Sequence, residues 1–149
     1  MNTLELLSAM YRDVGMRVQG GGVWPADALI HLKCKRPSFF IVNTSEGNNI
    51  GTHWVALYLP EKGPFEFFDP LGHPPEHYHA YFKSFLLGFG YSWNRVAYQA
   101  PYSVLCGEYC LYFGYYRCRN MSMRHVLETL RLGDDDQMYT FYSHTFQKV

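Results

Sequence analysis

The chain has 149 residues, 48% of them hydrophobic and 18% aromatic. That is enough apolar mass for a sizeable core in one domain spanning 1–149, and it excludes intrinsic disorder. The formal net charge is zero, so no long-range field draws the chain to nucleic acid or to a membrane surface.

Leu4, Leu7, Met10, Tyr11 and Val14 recur at helical spacing and predict an amphipathic helix over residues 3–14. Gly20-Gly21-Gly22 then breaks the chain. A short helix is expected from Trp24 through Leu32, with Pro37 beyond its end. Residues 38–44 read as a buried strand, rich in aromatic and β-branched side chains. Residues 46–51 form a turn, residues 53–59 the next strand, and residues 60–64 another turn. A third strand over 65–69 is stopped by Pro70 and Gly72. The short turns predict an antiparallel meander.

Pro74 and Pro75 suit the first turn of a helix, and Tyr78, Tyr81, Phe82, Phe85 and Phe89 follow at helical spacing. Gly88 and Gly90 close it, and residues 95–99 predict a fourth strand. Cys106, Tyr109, Cys110, Phe113 and Tyr116 mark a buried helix. Another helix is expected over 122–132, ended by Gly133, and Asp134 to Asp136 cap a last one through about His144. The order predicts an α+β fold with helices packed on a small mixed or antiparallel sheet.

No apolar run is long enough to span a bilayer and no signal peptide is evident, so no membrane partner and an intracellular location are expected. The cysteines Cys34, Cys106, Cys110 and Cys118 are not spaced as a disulfide framework, which points to free thiols in a reducing compartment. Cys106 and Cys110 lie one helical turn apart, but no second pair completes a zinc site, and no metal is expected. His73, His77 and His79 form a cluster, but His77 and His79 point to different sides of a helix, so surface positions near a helix start are expected rather than a metal site.

The chemistry gathers around Cys106. A cysteine at a helix N-terminus meets the positive end of the macrodipole, which favours the thiolate. Gly107 next to it lets backbone or substrate approach. His53 opens the second strand of the meander and Asp69 closes the third. If those strands pair antiparallel, imidazole and carboxylate share one edge of the sheet. The carboxylate then fixes the tautomer and leaves the other ring nitrogen to face a thiol.

Ile41-Val42-Asn43-Thr44, Gly51-Thr52-His53-Trp54, Phe67-Phe68-Asp69-Pro70-Leu71-Gly72, Gln99 and Cys106-Gly107-Glu108-Tyr109-Cys110 together resemble the adenovirus-type cysteine endopeptidases, the adenain-like family. More distantly they resemble the ubiquitin-like-protein protease superfamily, which has the same His-Trp, Asp, Gln and Cys-Gly signature. The similarity runs from the first helix to the last, where Gln137-Met138-Tyr139-Thr140-Phe141 is also alike. The resemblance implies a papain-like cysteine protease fold and a set of roles. Cys106 would be the nucleophile, His53 the acid and base, and Asp69 its orienter. The Gln99 side chain and the Cys106 backbone N–H would form the oxyanion hole. Trp54, Gly107 and Gly51 would line the substrate site, with Trp54 restricting the residues before the scissile bond to glycine.

Adenoviral members generally carry Glu where this chain has Asp69, and either carboxylate can orient an imidazole. They are also basic, use DNA, and tether an activating peptide by a disulfide. Here residues 84–98 contain no cysteine and the net charge is zero, so neither DNA nor an activating peptide is expected to be required. The expected activity is endopeptidase cleavage of viral or virus-like-element proteins or polyproteins at glycine-containing sites, in the host nucleus or virion if the source is viral. The alternatives are an isopeptidase that removes ubiquitin-like modifiers and a catalytically silent binding module.

Overall fold

In the computed structural model, described for residues 1–45, 47 and 53–147, the chain forms the expected α+β arrangement. The elements are α1 (Thr3–Arg12), α2 (Val14–Gln19), β1 (Gly20–Pro25), β2 (Ser38–Asn43), β3 (Trp54–Leu59), β4 (Phe65–Phe68), α3 (Ala80–Leu86), β5 (Tyr91–Trp93), α4 (Cys106–Arg117), α5 (Met123–Thr129) and α6 (Asp135–Phe146). Two 3-10 helices, Ala26–His31 and Pro75–His77, lie between them. The sheet order is β1-β2-β3-β4-β5. The β2-β3-β4 meander is antiparallel as expected, while β1 and β5 add parallel edges and make the sheet mixed.

All six residues of β2 and of β3 are buried, because helices cover both faces of the sheet. Side-chain alternation along β3 sends Trp54, Ala56 and Tyr58 to one core and Val55, Leu57 and Leu59 to the other. The first core is filled by α1, α4, α5 and α6; the second holds the Ala26–His31 turn and α3. Helix α4 is buried continuously from Cys106 to Gly114, Glu108 included. At Gly114 a Cβ would collide with the Phe39 ring, so the missing side chain sets how closely α4 lies on β2.

Four expectations are corrected. Gly20-Gly21-Gly22 does not break the chain but opens β1. A Cβ at Gly21 would overlap the Phe40 ring, and the Trp24 indole folds back to donate to the Gly21 carbonyl at 2.7 Å. Packing there overrides weak strand propensity. The first helix stops at Arg12, because Asp13 caps a second one by accepting from the Met16 N–H at 3.0 Å. Its buried face is Leu6, Ala9 and Met10, whereas Leu4, Tyr11 and Val14 are exposed. The helix expected after Pro74 divides into the Pro75–His77 turn and α3, with His79 as the cap between them.

The strand expected over 95–99 is instead a loop, and β5 lies earlier at Tyr91–Trp93. Arg95 adopts φ 56°, which turns the chain out of the sheet. The Asn94 amide stabilises that exit by donating to the Asp69 carbonyl at 2.6 Å and the Val96 carbonyl at 2.8 Å. Of the turn expected over 46–51, only Gly47 lies within the described residues. Among the described residues no helix is long and apolar enough to cross a membrane.

Candidate active site

The antiparallel register of β3 and β4 pairs Ala56 with Phe68, which sets the start of one strand beside the end of the other. His53 and Asp69 are the residues just beyond that pairing. His53 Nε2 lies 2.6 Å from Asp69 Oδ1. Asp69 is fully buried, and its carboxylate accepts from four donors. Oδ1 takes His53 and the Leu71 N–H at 2.9 Å. Oδ2 takes the Tyr78 hydroxyl at 2.5 Å and the His73 N–H at 3.1 Å. Two of these donors come from the turn after Asp69, which Gly72 closes with φ 80° and an N–H to the Asp69 carbonyl at 2.8 Å. The Asp69 N–H is held in turn by Asn94 Oδ1 at 2.9 Å.

With Nε2 committed to Asp69, Nδ1 is the ring atom left for another partner, and His53 makes a side-chain hydrogen bond to Cys106. Burial alone would pull the His53 pKa down. The hydrogen bonds to Asp69 and Cys106, with the charges of both groups, outweigh it and push the value up to about 9. At neutral pH the imidazole therefore carries its proton.

Cys106 is the first residue of α4 and is 4% exposed. Leu105 at the N-cap makes no side-chain cap bond, so the positive end of the α4 dipole lies at Cys106. Cys110, one turn on, is fully buried and its thiol is pushed well up by that burial. Among the described residues no cysteine forms a disulfide.

Gln99 is buried in the loop before α4. Its backbone N–H and that of Tyr98 both donate to the Pro70 carbonyl, at 3.0 and 2.8 Å, which ties this loop to the Asp69 end of the sheet. Its Nε2 donates to the Ser103 carbonyl at 2.8 Å, and an amide nitrogen has a second hydrogen to offer. Trp54 is 6% exposed in the core that also holds Leu6, Tyr98 and Cys106, and its indole N–H donates to the Met1 carbonyl at 3.0 Å. Over Gly107 a Cβ would meet Met1 Cβ at 3.2 Å and Leu6 Cδ2 at 3.4 Å, so the first residues of the chain close that side of the glycine. Gly51 lies outside the described residues.

Sequence reasoning missed Tyr78 and Asn94. Tyr78 stood at helical spacing among aromatics, and nothing in that spacing reveals which group its hydroxyl meets. His77 and His79 are exposed at the start of the helical segment, as expected, and His73 and His77 stack on each other, ring centroids 3.9 Å apart, beside Tyr78. Chemically, the arrangement is a cysteine sulfur, an imidazole and a buried carboxylate in series at a helix N-terminus, suited to nucleophilic acyl transfer.

No family model and no curated protein matches the chain. Among solved structures, the ASFV pS273R protease is 28% identical over 77% of this chain and 47% of that protein, with a TM-score of 0.49. This chain thus spans about half that protein's length. The central domain of the uncharacterized Lpg1148 protein from Legionella pneumophila is 15% identical over 84% of this chain and 85% of that domain, with a TM-score of 0.50. The likeness to the latter is one of fold.

Proposed function

We propose that the chain is a cysteine endopeptidase that cleaves protein or polyprotein substrates at glycine-containing sites, acting on viral or virus-like-element proteins. The observation that carries this reading is the His53 ring held between the buried Asp69 carboxylate at 2.6 Å and the Cys106 side chain at the head of α4. Each step then has a residue suited to it. The Cys106 sulfur attacks the scissile carbonyl carbon as a thiolate, its proton already on His53, and the charge that moves to the carbonyl oxygen is taken by the Gln99 amide and the Cys106 backbone N–H. His53 gives its proton to the leaving amine as the C–N bond breaks, which leaves a thioester on Cys106. Water then attacks the thioester, His53 accepts a proton from it, and the C–S bond breaks, so the acid product leaves and the thiolate–imidazolium pair is restored. Asp69 orients the ring throughout.

In this reading Trp54 walls the approach to Cys106 closely enough to exclude side chains before the scissile bond. The reaction as written needs neither DNA nor an activating peptide. The test is cleavage of a peptide library by the wild type and by Cys106→Ala, with and without DNA. Cleavage after glycine is expected, lost in the variant and indifferent to DNA. Rapid labelling by a ubiquitin-like vinyl sulfone with no peptide cleavage would replace the reading with isopeptidase activity. Cleavage that survives in Cys106→Ala would end it.

A further inference from the structure

Tyr78 touches two members of the site at once. Its hydroxyl donates to Asp69 Oδ2 at 2.5 Å, and its ring stacks on the His53 imidazole with centroids 5.9 Å apart and planes 29° from parallel. The ring is itself fixed. Phe67 and Phe82 pack against it at 6.4 and 6.0 Å, His77 meets its edge at 5.0 Å, and its backbone N–H closes the Pro75–His77 turn. Of the two donors on Oδ2, Tyr78 is the closer, since the His73 N–H stands at 3.1 Å.

A carboxylate with a strong donor on each oxygen cannot turn about its Cβ–Cγ bond. A donor on Oδ2 also draws charge away from Oδ1, the oxygen that holds His53. We infer that Tyr78 is a positioning residue: its hydroxyl locks the rotation of the Asp69 carboxylate and tempers its pull on the His53 proton, and its ring fixes the plane of the imidazole. This rests on the peptidase reading of the site. The groups facing the phenol support it. Burial first, then the hydrogen bond and charge of Asp69, then Cys106 and Cys110, push its ionisation well above the ordinary range, so it remains a donor wherever the site works. Around the ring stand His53, His73 and His77.

Two variants separate hydroxyl from ring. Tyr78→Phe keeps the stack and removes the donor; Tyr78→Leu removes both. For Tyr78→Phe the expected result is kcat lower by about tenfold with KM unchanged, since one hydrogen bond to a charged group is lost away from the substrate. The alkaline limb of the pH–rate profile and the His53 imidazole resonance in an NMR titration both move upward, because Asp69 then holds the His53 proton more tightly. Tyr78→Leu loses more activity than Tyr78→Phe. Wild-type kcat together with an unmoved His53 titration in Tyr78→Phe would overturn the role. Should the wild type cleave nothing, the peptidase reading fails by itself. The His53 titration then still decides whether Tyr78 governs the Asp69–His53 pair: a shift supports it and no shift refutes it.

Discussion

The charge on His53 makes a quantitative demand on stability. Its pKa stands at about 9 in the fold against an ordinary value of 6.5, and its side chain is 15% exposed, so solvent screens the difference little. At about 1.4 kcal/mol per pH unit the difference is worth about 3 kcal/mol, a large share of the roughly 5–15 kcal/mol that holds a domain folded. The pKa is raised in the folded state. The stabilisation is therefore fully present below about pH 6.5 and is lost as the pH climbs through about 9. Buried thiols act in a later window. The Cys118 pKa is pushed by burial to about 12 from 9.0, so its contribution declines only above pH 9.0. Urea unfolding of the wild type and of His53→Gln, measured from about pH 6 to about pH 9, isolates the imidazole. The wild type should lose about 3 kcal/mol relative to the variant across that range. Parallel stability curves would show that the fold leaves the His53 pKa unshifted and would refute the charged pair.

Two glycines offer further tests. Gly72→Ala sets a Cβ 2.6 Å from the Ala97 backbone nitrogen at φ 80°, so the loop carrying Gln99 must move away from the Asp69 turn. A stability loss of about 1–3 kcal/mol by thermal unfolding, with a disproportionate fall in kcat, is expected. Gly114→Ala drives a methyl into the Phe39 ring between α4 and β2. It should cost about 1–3 kcal/mol in urea unfolding, while the few molecules that stay folded at moderate denaturant keep their His53 titration.

Much of the site was legible because its members sit where local rules place them. His53 and Asp69 flank consecutive strands joined by a short turn, so antiparallel pairing alone brings them to one edge. Cys106 opens an apolar helix whose spacing is plain. Most of the failures involve a partner outside the local window. Gly20 to Gly22 carry the strongest local signal for a break, yet the Phe40 ring needs a strand with no side chain at Gly21. Leu4, Leu7, Tyr11 and Val14 form the more regular apolar stripe on the first helix. The core nonetheless takes Leu6, Ala9 and Met10, and Asp13 ends the helix through its bonds to the Met16 N–H and to Arg119. Residues 95–99 look like a strand until the Asn94 amide, bonded to the Asp69 backbone, directs the chain out of the sheet. Tyr78 was hidden for the same reason, its hydroxyl partner lying nine residues away across a proline-rich turn.

The central claim is that Cys106 is a nucleophile made reactive by His53. It is tested most directly by treating the protein with a peptidyl vinyl sulfone ending in glycine and locating the adduct by mass spectrometry. Cys106, though 4% exposed, should be labelled ahead of the half-buried Cys34, whose thiol is pushed up by burial, and labelling should collapse in His53→Gln. An adduct on Cys34 with Cys106 unmodified, or labelling of Cys106 that is indifferent to loss of His53, would contradict the account.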